Sequence, residues 1–164
     1  MNQLVIQQYN PQYKAALLDL LLKLQVDYFK KTVSERQQAL SEASDEAKAY
    51  GSYVDFLEEE IKEGIWNVLL ALDNGKVVGM IIGSITVDDD LMLSPVGKVE
   101  DWFVEESYRG RGAGAKLYAA LEKWFVEKGC KQVLSDTWMD NALSIEVHKH
   151  LGFFVTGIQF GKRL

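Results

Sequence analysis

The chain has 164 residues and a formal net charge of -6, with 48% hydrophobic and 26% charged residues. This length fits one well-packed domain over residues 1–164 and is too short for two. The acidic balance argues against nucleic acid as a partner, and no apolar run approaches the ~20 residues that a membrane span requires.

The start of the chain and its cysteine content predict a cytoplasmic protein. Residues 1–4 lack the basic start and long apolar core of a signal peptide. Cys130 is the only cysteine, which excludes an intrachain disulfide and zinc sites built from several cysteines. We therefore expect no metal, and we expect Cys130 to be a small buried core residue.

The N-terminal region predicts a strand followed by helices. Leu4-Val5-Ile6 is a short apolar strand, and Asn10-Pro11 then supplies an N-cap and a first-turn proline. The apolar positions of the helix that follows include Leu17, Leu18, Leu21, Leu22 and Leu24. Residues 34–49 are mostly polar and predict either a helix extension or a mobile excursion, and a second helix is expected around Ser52 to Glu63.

The middle of the chain predicts a hairpin and a third strand. Trp66 to Leu72 and Lys76 to Val87 have strand patterns and are joined at Asn74-Gly75, a dipeptide typical of tight hairpin turns. A polar loop that includes Asp88-Asp89-Asp90 leads to a strand over Lys98 to Val104. This strand runs into a glycine-rich turn.

The C-terminal part predicts two more helices with strands between and after them. The helix that follows the glycine turn has an apolar stripe of Leu117, Leu121 and Phe125. A strand over Gln132 to Thr137, a helix near Asp140 to Leu151 and closing strands from Phe153 complete the chain. The elements therefore predict a mixed α/β (α+β) fold.

The glycine-rich turn carries the strongest functional signal. Its sequence, Arg109-Gly110-Arg111-Gly112-Ala113-Gly114, has glycines at alternate positions that let the backbone approach a ligand closely. The first-turn N–H groups of the helix lack intrahelical partners, and the helix dipole makes them attractive to anions. Arg109, Arg111 and Lys116 add positive charge in an acidic protein. The turn therefore predicts a site for a phosphate-bearing cofactor.

Three other interpretations of this turn compete with a cofactor site. A mononucleotide P-loop requires Gly-Lys-Ser or Gly-Lys-Thr, which the chain lacks. Gly110 to Ala115 fits a loose dinucleotide-binding pattern with Asp136 at a suitable distance, but Glu105 to Arg109 separates it from the strand end. A tight strand-to-helix turn without a ligand stays open.

A polar stripe on the last helix carries the second signal. At the helical repeat, Asn141, Ser144 and His148 fall within about 60° of one another and interrupt an apolar face. Polar groups buried there need hydrogen-bond partners in the protein, in water or in a ligand. For His148, a purely structural role is the alternative to a place in a site.

Together, these two motifs resemble the GNAT superfamily of N-acetyltransferases over about residues 98–155. The first motif is Arg109-x-x-Gly112-x-Gly114, and the second is Asn141-x-x-Ser144-x-x-x-His148-x-x-x-Gly152-Phe153. The resemblance implies a mostly antiparallel central sheet of six to seven strands flanked by about four helices. It also implies acetyl-coenzyme A (acetyl-CoA) as co-substrate, and a homodimer, which is usual for the family.

The resemblance also implies roles for individual residues in binding acetyl-CoA. The turn from Arg109 to Gly114, including Gly110, Arg111 and Ala113, binds the pyrophosphate through backbone N–H groups. Phe103 and Val104 in the preceding strand pair with the pantetheine arm, and Asn141, with Ser144 beside it, contacts the arm from the other side.

His148 occupies a position where the family often has a tyrosine that acts as general acid for the departing thiolate. Histidine is found there in a subset that resembles aminoglycoside 6'-acetyltransferases, which suggests aminoglycoside-like or polyamine-like acceptors. A thiol with a pKa near ~8.5 leaves tolerably as the anion, so an acid here helps without being indispensable.

The amine acceptor needs a base or a water chain to remove its proton, because an alkyl ammonium has a pKa of ~10.4 and does not react until it is deprotonated. Glu100 and Asp101 lie in the strand before the turn, and strand alternation predicts that they point to opposite faces. Glu100 is preferred because related enzymes often carry a glutamate there, while an exposed edge charge is the alternative for each. We expect direct attack on the thioester, with its carbonyl polarised by a backbone N–H near Val104 and no covalent acyl-enzyme.

The acceptor pocket is expected from the family to involve residues 24–64 and 88–96. Aromatic residues that could form its walls are Tyr28, Phe29, Tyr50, Tyr53 and Trp66. The acidic runs Glu58-Glu59-Glu60 and Asp88-Asp89-Asp90 either line this cleft or are solvated surface. The sequence thus predicts an acetyl-CoA-dependent N-acetyltransferase for the primary amine of a small cationic molecule. The alternatives are a peptide or protein N-acetyltransferase and a non-catalytic CoA-binding sensor.

Overall fold

The structure, a computed structural model, describes residues 4–32, 46–88, 90 and 92–158. The helices are α1 (Lys14–Thr32), α2 (Glu46–Glu63), α3 (Ala113–Glu127) and α4 (Ala142–His150). The strands are β1 (Leu4–Gln8), β2 (Trp66–Asp73), β3 (Lys76–Thr86), β4 (Val96–Val104) and β5 (Gln132–Ser135). Short 3-10 turns lie at Pro11–Tyr13 and Glu106–Tyr108. Within these residues, no helix is both long enough and apolar enough to cross a membrane.

The strands form one sheet in the order β1-β2-β3-β4-β5. The first three pairings are antiparallel, and β4 pairs with β5 in parallel. The predicted hairpin turn is present between β2 and β3, where Asn74 and Gly75 both have positive φ. A mixed, mostly antiparallel sheet is confirmed.

The strand count differs from the prediction. Five strands are seen in the described residues, not six to seven. The expected closing strands are not formed over residues 153–158, which form no ladder with the sheet, and residues 159–164 lie outside the described part. The polar segment predicted at 34–49 lies largely outside it too, because residues 33–45 are not described and α2 begins at Glu46.

Each face of the sheet packs against its own helices, because strand side chains alternate between the two faces. The α1/α2 face buries apolar residues that include Leu17, Leu21, Val54, Leu57, Leu70, Met80, Ile82 and Phe103. The α3 face buries apolar residues that include Leu69, Ile81, Val99, Leu117, Leu121 and Phe125. Cys130 is half-buried beside the α3 face, and burial raises the pKa of its thiol.

Two glycines allow α3 to approach the sheet closely. A Cβ added at Gly97 would lie 2.6 Å from the Phe125 ring, and one added at Gly83 would lie 2.8 Å from it. Neither distance is tolerated between carbon atoms, so a side chain at either position would push α3 outward. This close packing sets the distance of the C-terminal half of α3 from β3 and β4.

Candidate active site

An opening in the sheet lies between β4 and β5. The parallel pairing joins Val96–Val99 to Gln132–Ser135 and then stops, whereas β4 continues to Val104. Beyond Val99, the edge of β4 that faced β5 has no strand partner in the described residues. Backbone groups of β4 there are open to an extended ligand, and the edge includes the predicted residues Phe103 and Val104.

The glycine-rich turn lies at the end of this edge and begins α3. Gly110 and Gly112 have φ of 72° and 81°, a left-handed conformation that favours glycine. Gly112 is the N-cap of α3, and no side chain of the described residues caps the helix. A Cβ added at Gly110 or Gly112 would meet no described atom within 4 Å. The turn therefore presents bare backbone donors at the positive end of a helix, which fits a pyrophosphate.

The charged side chains of the turn have two different environments. Arg109 points inward: its Nε donates to the Val104 carbonyl at 2.9 Å, and its NH2 donates to Asp27 at 2.8 Å. Arg111 is exposed, and its guanidinium carbon lies 5.6 Å from the centroid of the Tyr108 ring. Lys116 is also exposed. The Arg109 side chain links the turn to α1 by hydrogen bonds, whereas Arg111 and Lys116 carry positive charge at the surface.

The polar stripe of α4 is assembled by hydrogen bonds among its members. The Asn141 side chain caps the helix by accepting from the Ser144 backbone N–H at 3.2 Å. His148 Nδ1 lies 2.7 Å from the Ser144 carbonyl oxygen and 3.3 Å from its hydroxyl. The structure therefore brings all three predicted residues together, and part of their hydrogen-bonding capacity is used within the helix.

Sequence reasoning missed one member of this group. Ser135, the last residue of β5, has its hydroxyl 2.7 Å from His148 Nε2. The Trp102 and Phe153 rings contact the His148 ring edge-on, with centroid distances of 6.1 and 5.2 Å. The predicted strand over Gln132 to Thr137 gave no signal for Ser135, because its contact with His148 depends on how β5 and α4 pack.

The expectation that Glu100 and Asp101 point to opposite faces is wrong. Ile82 pairs with Asp101 and Gly83 pairs with Val99, so Glu100 is an extra residue in β4 and forms a β-bulge. The extra residue resets the alternation, and both carboxylates lie on the α1/α2 face. A β-bulge is not visible in a pattern of alternating residues, which is why the prediction failed.

The two carboxylates differ in their partners. Glu100 accepts from the Ser84 hydroxyl at 2.6 Å and forms an ion pair with Lys98 at 2.9 Å. Asp101 accepts from the Tyr53 hydroxyl at 3.0 Å. Burial raises the pKa of Asp101, and the hydrogen bond from Tyr53 only partly opposes that effect. Asp101 therefore binds a proton more tightly than an ordinary aspartate does, because a carboxylate with a raised pKa is a stronger base.

Aromatic side chains lie near these acids on the α1/α2 face. The Tyr53 and Phe56 rings are stacked at 6.4 Å, and Phe56 meets Trp66 edge-on at 5.3 Å. Tyr50 donates to Gln25 at 2.6 Å. The expected wall is thus partly seen, with Phe56 as an additional member, while the side chains of Tyr28 and Phe29 lie outside the described part.

In the first acidic run, Glu58 and Glu59 are engaged by other side chains. Glu58 accepts from Tyr9 at 2.6 Å and from Lys14 at 3.0 Å, and Glu59 pairs with Lys62 at 2.8 Å. Asp88 and Asp90 lie in the loop before β4, and Asp89 is outside the described residues. Within the part of the chain that the structure describes, no group of three or more His, Cys, Asp or Glu side chains is arranged to hold a metal ion.

Comparison with known proteins gives one family and a consistent set of relatives. The Acetyltransferase (GNAT) family matches residues 19–153. Aminoglycoside N(6')-acetyltransferase type 1 of Salmonella typhimurium is 38% identical over 86 residues, covering 51% of this chain and 59% of that protein. The chain thus spans about three fifths of the length of this curated relative.

Two solved structures resemble nearly the whole chain. AAC(6')-Iy in complex with the bisubstrate analogue CoA-S-monomethyl-acetylneamine is 28% identical with a TM-score of 0.72, and the match covers 99% of both chains. The aminoglycoside N-acetyltransferase AAC(6')-Iy in complex with CoA is 26% identical with a TM-score of 0.75, covering 100% of this chain and 96% of that one.

Proposed function

Because the chain belongs to the Acetyltransferase (GNAT) family, we propose that it is an acetyl-CoA-dependent N-acetyltransferase that acts on a primary amine of a small cationic molecule. The observation that carries the proposal is the opening between β4 and β5, which has an uncapped helix N-terminus at one end and two carboxylates beside it. Such an arrangement holds a phosphate-bearing acyl donor next to an amine.

An aminoglycoside is the acceptor that the relatives favour. The curated relatives carry the name aminoglycoside N(6')-acetyltransferase, and one similar structure holds a bisubstrate analogue that combines CoA with acetylneamine. Two carboxylates on the α1/α2 face, Glu100 and Asp101, fit a polycationic acceptor electrostatically. Aminoglycosides and polyamines share this charge.

The donor site is built from backbone more than from side chains. The N–H groups at Gly110 to Gly114 receive the pyrophosphate, and the open edge of β4 at Phe103 and Val104 pairs with the pantetheine amides. Acetyl-CoA supplies the activated acetyl group as a thioester. A backbone N–H of β4 near Val104 polarises the thioester carbonyl, because a donor fixed in the fold needs no reorganisation as negative charge develops.

On the acceptor side, Asp101 takes the proton that makes the amine nucleophilic. Its pKa is raised by burial, and it lacks the lysine partner that Glu100 has in Lys98. Glu100 then contributes negative charge that holds the ammonium group before transfer. The nitrogen attacks the thioester directly.

A thiol-release assay with acetyl-CoA tests the proposal. The panel comprises aminoglycosides with a free 6'-amine, linear polyamines and lysine-containing peptides. Turnover with the first two groups is expected. Turnover with peptides alone would favour a peptide or protein acceptor, and CoA binding without turnover on any amine would favour a sensor.

We also propose a cytoplasmic location, which the single free thiol of Cys130 supports, because unpaired cysteines are usual in reducing compartments. A homodimer stays a prediction that rests on the family. Analytical ultracentrifugation of the purified chain tests it.

A further inference from the structure

The hydrogen bonds of His148 define which ring nitrogen carries its proton. Nδ1 lies 2.7 Å from the Ser144 carbonyl oxygen, and a carbonyl can only accept. Nδ1 is therefore protonated. In the neutral ring, Nε2 must then accept the hydrogen bond from the Ser135 hydroxyl, at 2.7 Å. In the imidazolium, Nε2–H instead donates to the Ser135 oxygen, which leaves the hydroxyl proton of Ser135 directed elsewhere.

A comparison with His150, on the same helix, shows which contact is particular to His148. Its Nδ1 also lies 2.7 Å from a carbonyl four residues earlier, that of Glu146, but its side chain is exposed. The bond from Nδ1 to the backbone is thus a local property of α4. The serine hydroxyl at Nε2 is what distinguishes His148 from its neighbour.

Ser135 lies where the opening in the sheet begins. It pairs with Val99, the last residue of β4 that β5 reaches, and the bulge residue Glu100 follows immediately. His148 is half-buried behind it, between the Trp102 and Phe153 rings. Ser135 therefore stands between the imidazole and the opening in which the proposed function places the thioester.

We propose that Ser135 is a catalytic proton relay between His148 and the sulfur of the departing CoA thiolate. As the bond between the acetyl carbon and sulfur breaks, its electron pair goes to sulfur. The Ser135 hydroxyl gives its proton to that sulfur and takes one from Nε2 of the His148 imidazolium. His148 regains a proton from solvent, and the proton lost by the amine nitrogen goes to the carboxylate on the other face. This inference rests on the proposed function.

Steady-state kinetics across pH test the relay with five variants: S135A, S135T, H148Q, the S135A/H148Q double variant and H150Q. We expect S135A to lower kcat roughly tenfold or more with little change in the KM for acetyl-CoA, because proton transfer contributes to the chemical step. S135T keeps the hydroxyl and restores kcat. H150Q, the matched control, behaves like the wild type.

Two features of these data separate a relay from a structural role. In the wild type, kcat falls at rising pH, and this limb is absent in S135A and H148Q. The double variant is no slower than H148Q alone, because the two residues act in one chain. Multiplied losses, or an unchanged pH limb in S135A, would overturn the relay.

A measurement without turnover checks the contact with sulfur. The ultraviolet absorbance of the CoA thiolate is followed against pH in the CoA complex of each variant. An imidazolium linked to sulfur through Ser135 stabilises the thiolate, so the thiol ionises at lower pH in the wild type and in H150Q than in S135A. Equal ionisation in all variants, or an acetyl group on Ser135 detected by mass spectrometry, would refute the relay.

These outcomes distinguish the two proposals. A wild-type enzyme that transfers acetyl groups while S135A keeps the wild-type pH profile refutes the relay and leaves the acetyltransferase intact. A wild type that transfers to no amine refutes both. Thermal unfolding of S135A and H148Q verifies that each variant is folded.

Discussion

Replacing Gly112 by alanine isolates the contribution of the glycine-rich turn to cofactor binding. Gly112 has a φ of 81°, and a Cβ there would meet no described atom within 4 Å. The methyl group therefore causes backbone strain without a clash. Left-handed backbone costs an L-residue about 1–2 kcal/mol, so G112A should lose roughly this much free energy of unfolding.

Gly129 provides a matched control at the other end of the same helix. It also has a φ of 81° with no atom within 4 Å of an added Cβ, so G129A carries the same strain of about 1–2 kcal/mol. It lies beyond the C-terminus of α3, away from the proposed pyrophosphate site. Urea denaturation should therefore give similar losses of stability for G112A and G129A.

Binding of CoA should separate the two variants. At Gly112, a methyl group stands among the donors that receive the pyrophosphate, and one lost hydrogen bond to a charged group costs about 1.5–3 kcal/mol. This corresponds to a rise in Kd of roughly tenfold to a hundredfold. Isothermal titration calorimetry should show that rise for G112A and unchanged affinity for G129A. Equal affinities for both variants would refute the assignment of the turn.

Three further predictions concern side chains around the site. D101N should lower kcat roughly a hundredfold near neutral pH, with a smaller loss at high pH where free amine is abundant, whereas E100Q should mainly raise the KM for the amine. Y53F removes a hydrogen bond that lowers the pKa of Asp101, so the pKa of Asp101 should rise. Because the carboxylate is the active form, the acid limb of kcat/KM should then move to higher pH. A shift to lower pH would contradict Asp101 as the base. R109K cannot make both hydrogen bonds of the guanidinium, to Val104 and to Asp27. Urea denaturation should show that the free energy of unfolding falls by about 1 kcal/mol, after allowing for partial exposure. A double-mutant cycle with D27N measures the interaction energy between Arg109 and Asp27.

The sequence predicted most of the fold because those elements depend on local patterns. The hairpin at Asn74-Gly75, the apolar stripe of α3 and the turn at Gly112 are each determined by residues close in sequence. The number of strands was harder to predict. Residues after Phe153 can join the sheet only if a partner strand lies beside them, and a local pattern does not show that partner.

The acceptor side of the site is formed by contacts between residues that are far apart in the sequence, so a local pattern does not predict them. The hydrogen bond from Tyr53 to Asp101 joins residues far apart in the chain, and the bulge at Glu100 appears only when β4 is aligned with β3. Likewise, the pairing of Ser135 with His148 requires β5 and α4 to be placed together. The positions of the acids were predictable, but their orientation and their hydrogen-bond partners were not.

The bulge at Glu100 also separates the proposed base from the proposed acid, because it places them on opposite faces of the sheet. With the alternation reset, Glu100 and Asp101 lie on the α1/α2 face. His148 contacts Trp102, which packs on the α3 face. In the proposed mechanism, the amine proton and the thiolate proton therefore follow different routes.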